Sequence, residues 1–189
     1  MAEIMNRLRE LRHKPDALLH KRRREEALHR LSGPVPKSVL FVCHGNICRS
    51  PFAAAAFSKA LPDSLSPTIK VDSVGFIGPG RRPPSAALAS AGRRGIDMNG
   101  HKSKVVTAEL LRSADLIVVM APEQAKGIAN RLPDDAAPVL VLGDLDPMPI
   151  TRRTILDPWS KDDAAFDESY DRIERCLNEM VRALSQRNS

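Results

Sequence analysis

The chain has 189 residues, 42% hydrophobic and 28% charged, the balance of a soluble globular domain with a full core and some excess. No apolar run approaches the ~20 residues of a membrane helix, and charges recur too often near the N-terminus for a secretory leader. Three cysteines cannot all pair within one chain and five histidines show no metal-ligand spacing, which argues against a disulfide scaffold or a zinc site. The net charge of +6 is uneven: residues 1–31 hold nine Lys/Arg against five Asp/Glu, and the rest hold 20 against 18.

Residues 1–31 read as a basic helix broken near Lys14-Pro15 by the proline. Ile4, Leu8 and Leu11 share one face, and Lys21-Arg22-Arg23-Arg24 is the densest charge run. Such a segment is a solvated extension, or it docks on the domain, orients a dimer or recruits an acidic partner. Nucleic acid is not expected, because no aromatic side chain interleaves with the charges. Gly33-Pro34-Val35-Pro36 reads as a linker, so residues 1–36 form an extension and linker and residues 37–189 the domain.

From residue 38 the pattern alternates. Residues 38–42 read as a buried strand, 50–61 as a helix, 69–73 as a strand and 85–94 as a helix ended by Gly95. Thr107 opens a short helix to residue 112, a strand follows at 116–120, a helix at 122–130 and a strand at 139–142. Phe166, Tyr170, Ile173, Leu177, Met180 and Leu184 recur at spacings of four and three and predict a long C-terminal helix. The expected fold is α/β, a four-stranded parallel sheet doubly wound with helices on both faces. Ligands on such sheets bind at the carboxyl ends of the strands.

Cys43 stands at that end of the first strand, in SVLFVCHGNICRSPF at residues 38–52. The thiolate is the nucleophilic form of cysteine, and a helix N-terminus with a nearby cation favours it. Ser50-Pro51 reads as the helix start, serine as the cap and proline in the first turn. The free N–H groups of that turn would face an anion at Cys43. Gly45 and Asn46 tolerate left-handed backbone, so the loop can curl into an anion nest. Arg49 grips two phosphate oxygens at once. Spacing alone is a weak signal, because Cys176 and Arg182 repeat it within a helical pattern that lacks glycine. Context separates the two pairs and points to a phosphate-binding loop of residues 43–50, including His44, Ile47 and Cys48. The acid that protonates a leaving oxygen is then sought downstream. On spacing alone Asp157 is a turn residue before Pro158 with rivals in Asp144, Asp146, Asp162 and Asp163.

VLFVCHGNICRSPFAAAAF resembles the signature of the low-molecular-weight protein tyrosine phosphatases, and the likeness runs from about Lys37 to the C-terminus. The resemblance implies Asp157, in Asp157-Pro158-Trp159, as general acid and base. It also implies Asn46 and Ser50 as loop-ordering and thiolate-supporting residues, with Ser73 and His101 holding the same loop. Cys48 matches a second loop cysteine able to form a reversible disulfide with Cys43. The chain departs from the family at His44, in the wall loop 75–82, which has no tryptophan, and after Trp159, where Ser160 replaces a second aromatic. Phe76 or Ile77 is left to form that wall. Trp159 is either a slab beside an aromatic leaving group or a core anchor for the C-terminal helix.

The implied function is hydrolysis of phosphotyrosine, in a protein or a small aryl phosphate, through a cysteinyl-phosphate intermediate. No metal or cofactor is implied. A working thiol suits a reducing cytoplasm, and a monomer or weak dimer is expected. The alternatives are a phosphoarginine phosphatase, a thiol-linked arsenate reductase and a non-catalytic phosphate-binding module. Members acting on phosphoarginine carry threonine where this chain has Ile47. Arsenate reductases need two further cysteines, and only Cys176 lies beyond the loop.

Overall fold

The computed structural model describes residues 2–131 and 137–186, with side chains from Asp16 onward. Strands β1 (Ser38–Cys43), β2 (Lys70–Gly75), β3 (Leu116–Val119) and β4 (Val139–Val141) form one parallel sheet in the order β2-β1-β3-β4. The chain moves from β1 to β2 on one side and then crosses to β3 on the other. The strand order therefore reverses beside the carboxyl end of β1, where doubly wound sheets open a ligand crevice. Cys43 is the last residue of β1 and pairs in register with Gly75.

Alternation along β1 separates the two cores. Val39, Phe41 and Cys43 face one apolar cluster with α2 (Arg49–Ala60), α3 (Ser85–Arg93) and α6 (Asp163–Ser185), whereas Leu40 and Val42 face another with α4 (Ala108–Arg112) and α5 (Pro122–Ala129). All six apolar positions expected on the C-terminal helix are buried in the first cluster. Phe52 stacks on Tyr170 with ring centroids 3.8 Å apart, and the Tyr170 hydroxyl donates to the carbonyl of Cys48 at 3.2 Å. Helix α6 is thus tied directly to the loop behind β1.

Most element boundaries fall within one or two residues of the sequence reading. Thr107 caps α4 by accepting from the N–H of Leu110, and Gly95 takes the left-handed conformation that ends the turn after α3 (φ 66°). Two expectations are corrected. Residues 139–142 yield only a three-residue strand, because a 3₁₀ turn at Leu142–Leu145 begins at once. The N-terminal helix α1 (Ala2–Arg30) is not broken at Pro15. A proline removes one backbone donor and disfavours the helix, but tertiary anchorage overrides such propensities. Here the segment after Pro15 packs on the domain: His20, Ala27 and Leu31 are buried, and Arg24 pairs with Glu179 of α6. The face of Ile4, Leu8 and Leu11 lies outside the described side chains.

Asp167 fastens α6 to the end of α3. Hydrogen bonds from Ser90 and from the guanidinium groups of Arg94 and Arg93 hold its carboxyl well below the usual carboxylate range. A depressed folded-state value stabilises the fold at pH above 3.8, the ordinary value, and the contribution is lost as pH falls through the folded-state value. Asp167→Asn should therefore lower the thermal midpoint at neutral pH, by no more than about 2–4 °C because the group is solvent-screened. The deficit should shrink progressively as pH is lowered below 3.8. A deficit that persists in acid would assign the effect to packing instead of charge.

Candidate active site

The loop from Cys43 to Arg49 leaves β1 and enters α2 with its anchors already set. Asn46 takes a left-handed conformation, with φ 51°. This turns its backbone N–H onto Cys43 Sγ at 3.3 Å. Its side chain is fully employed: Nδ2 donates to Ser50 Oγ and Ser73 Oγ at 2.9 Å each, and Oδ1 accepts from the N–H of Lys104 at 2.8 Å. His101 Nε2 lies 2.7 Å from the Asn46 carbonyl, which only accepts, so Nε2 carries the proton. Ser73 and His101 therefore hold the loop from outside the pocket. Gly75 is required by close approach, since a Cβ there would lie 2.7 Å from the backbone nitrogen of Asn46.

Ser50 does not cap the helix as expected. The residue at the cap position is Cys48, with no side-chain cap bond, and α2 begins at Arg49. The Ser50 hydroxyl is instead directed at Cys43 Sγ, 3.1 Å away, with the Val74 carbonyl at 3.3 Å. Two donors, the Asn46 N–H and the Ser50 hydroxyl, thus converge on one thiol that is 2% exposed.

Arg49 is almost wholly buried. One terminal nitrogen donates to the Ile155 carbonyl at 3.0 Å, the other pairs with Asp157 Oδ2, and Nε is buried without a partner among the described residues. The guanidinium thus sits at the site with an unused donor. Asp157 also accepts from the N–H of Trp159 at 3.2 Å. Its rivals are occupied elsewhere: Asp144 pairs with Arg153, Asp146 is buried against Arg172 and Arg175, and Asp162 caps α6. Asp163 lies in the first turn of that helix.

A pocket of about 160 Å³ is lined by Cys43, His44, Gly45, Ile47, Cys48, Ile77, Arg81, Asp157 and Trp159. Ile77 forms the wall, whereas Phe76 turns away and packs its ring under Arg131, 5.2 Å from the guanidinium carbon. Trp159 is 58% exposed, so it is no core anchor. Burial pushes the Cys48 thiol up to about 12, which leaves it protonated at neutral pH beside Cys43. Cys176 is fully buried within α6, and burial raises its thiol too, while Arg182 pairs with Glu179. The duplicate spacing thus builds no site.

Sequence reading missed Arg81. It donates to the carbonyls of Gly45, Ile77 and Gly78 at 2.8–2.9 Å and so staples the wall loop to the phosphate loop. The Gly80-Arg81-Arg82 run offered the residue but not its partners, which are backbone carbonyls.

The chain matches the family described as low molecular weight phosphotyrosine protein phosphatase over residues 38–189. It is 33% identical over 150 residues to the low molecular weight protein-tyrosine-phosphatase Etp of Escherichia coli, covering 79% of this chain and 95% of that protein. Among solved structures it resembles the Erwinia amylovora tyrosine phosphatase amsI, with TM-score 0.70 and 29% identity over 81% of this chain and 96% of that one. It also resembles the YwlE arginine phosphatase of Geobacillus stearothermophilus, with TM-score 0.68 and 26% identity over 80% and 94%. With its carboxyl-end cysteine loop and parallel sheet, the chain belongs to the low molecular weight protein-tyrosine phosphatase family.

Proposed function

We propose that residues 37–189 form the phosphatase domain, that residues 1–36 are an extension and linker, and that the pocket at Cys43 hydrolyses phosphotyrosine. In this reading Cys43 attacks phosphorus as thiolate, the S–P bond forms, and the P–O bond to the aryl group breaks. Asp157 gives its proton to the departing oxygen. Water then attacks the cysteinyl phosphate, Asp157 takes the proton back, and phosphate leaves with the thiolate restored. Arg49 and the loop amides carry the charge on the equatorial oxygens, so the scheme uses no metal ion. Turnover undiminished in a chelator would agree with that. We propose further that the enzyme works in a reducing cytoplasm, which a catalytic thiolate favours, and does so as a monomer or weak dimer.

The observation that carries the reading is the convergence on Cys43 Sγ of the Asn46 N–H and the Ser50 hydroxyl, with Arg49 and Asp157 joined at the same pocket. The apolar walls Ile47, Ile77 and Trp159 favour an aryl ester over a guanidino phosphate. Because an arginine phosphatase is among the structural relatives, the deciding experiment compares phosphotyrosine and phosphoarginine in one peptide sequence. The expected kcat/KM favours phosphotyrosine by about tenfold or more. A preference for phosphoarginine would overturn the substrate assignment.

A further inference from the structure

The segment that carries Asp157 is held mostly by its backbone carbonyls. Arg172 donates to the carbonyls of Arg152 and Thr154 at 2.7 and 2.9 Å, Arg49 to that of Ile155, and Ser169 to that of Leu156 at 3.2 Å. Helix α1 enters this scaffold at two points. Asp16 accepts the backbone N–H of Arg153 at 3.3 Å while pairing with Arg23, about two turns along its own helix, at 2.7 Å. His20 Nε2 donates to the carbonyl of Asp146 at 2.9 Å. Asp146 in turn anchors Arg172 and Arg175. The Arg153 guanidinium is separately locked to Asp144. Both ends of the stretch from residue 146 to 153 are therefore pinned to α1, and Asp157 follows four residues later. The family match begins at residue 38, so this strut lies outside it.

We propose that α1 is a positioning element for the acid: Asp16, through the N–H of Arg153, and His20, through the carbonyl of Asp146, fix the loop that sets Asp157 beside the leaving group. The proposal rests on Asp157 being the general acid. Asp16 and His20 touch no substrate and act only through the loop. An acid displaced by a fraction of an ångström protonates poorly, and small misplacements cost large factors in rate. The loss falls on substrates whose leaving oxygen needs a proton and spares those that leave as stable anions.

The experiment is steady-state kinetics of full-length protein with phenyl phosphate and 2,4-dinitrophenyl phosphate. Asp16→Ala should lower kcat for phenyl phosphate by roughly three- to tenfold, leave KM in place and spare the dinitrophenyl ester. Asp16→Asn keeps an acceptor for the Arg153 N–H and should restore most of the rate. His20→Ala, which frees the other end, should show the same selectivity and supplies the reading if Asp16→Ala does not fold. In an Asp157→Ala background neither change should cost anything further, because the group they position is gone. If Asp157→Ala discriminates between the esters but folded Asp16→Ala or His20→Ala does not, the strut proposal alone is overturned. If Asp157→Ala itself shows no discrimination, the assignment of the acid fails and the strut proposal falls with it. Equal losses on both esters would mark α1 as merely stabilising and would also overturn it.

Discussion

A Cys43→Ser variant is expected to lose turnover of a phosphotyrosine peptide by roughly 10⁴-fold or more while still binding inorganic phosphate. Serine is close to cysteine in size, so the loop ordered by Asn46, Ser73 and His101 has no reason to collapse. What disappears is an ionisable nucleophile under two donors, the Asn46 N–H at 3.3 Å and the Ser50 hydroxyl at 3.1 Å. No neighbour can substitute. Burial holds the Cys48 thiol up at about 12, and Cys176 is enclosed in α6. Trp159, the only tryptophan, stands exposed at the pocket mouth, so its fluorescence reports phosphate binding by the inactive variant. Turnover within tenfold of wild type would place the nucleophile elsewhere. Loss of phosphate binding together with turnover would mean that the substitution disordered the loop.

The phosphate loop was legible because its physics is local. A buried strand, a Gly-Asn turn and a helix start within a dozen residues leave the chain few ways to run, and each requirement is visible as a residue type. The same holds for α6, whose apolar spacing alone predicts its buried face. Ser50 is instructive in the other direction. Local pattern made it a helix cap, whereas the resemblance gave it to the thiol; the hydroxyl faces Cys43 Sγ, because capping is a local preference and the thiol nearby is a stronger claim on it.

What stayed hidden depends on partners far along the chain. Arg81 grips carbonyls, and a carbonyl has no sequence signature. Pro15 looked like a break because propensity was all the sequence offered, and the anchorage that overrides it comes from residues more than a hundred positions away, at Asp146, Arg153 and Glu179. Charge counting likewise marked residues 1–31 as a basic arm and did not reveal that Asp16, an acid in that arm, and the buried His20 make contacts to the backbone of Arg153 and Asp146. Spacing alone left Asp157 among four rivals and the resemblance singled it out; the fold adds that Asp144 and Asp146 are spent on arginines and Asp162 on a helix cap.

Asp157→Ala should lower kcat for a phosphotyrosine peptide by roughly 10²–10³-fold, the range for losing a positioned general acid, and its effect on binding should have the opposite sign. The Asp157 carboxylate is paired with Arg49, so it occupies a guanidinium edge that a phosphate oxygen needs. An incoming phosphoryl group must displace the carboxylate, which frees it to act at the leaving oxygen. Deleting the carboxylate removes that competitor, and like-charge repulsion with it. Inorganic phosphate should therefore inhibit the variant more strongly than wild type, by a few-fold, and KM should fall or hold while kcat collapses. The Arg49 Nε, buried without a partner among the described residues, is a further donor for the bound anion. Inhibition constants for phosphate, measured with both proteins against an activated aryl ester, check the argument directly. Weaker phosphate inhibition in the variant would mean that Asp157 orders Arg49 for binding instead of competing for it. An unchanged kcat on the phosphotyrosine peptide would remove Asp157 from the chemistry altogether.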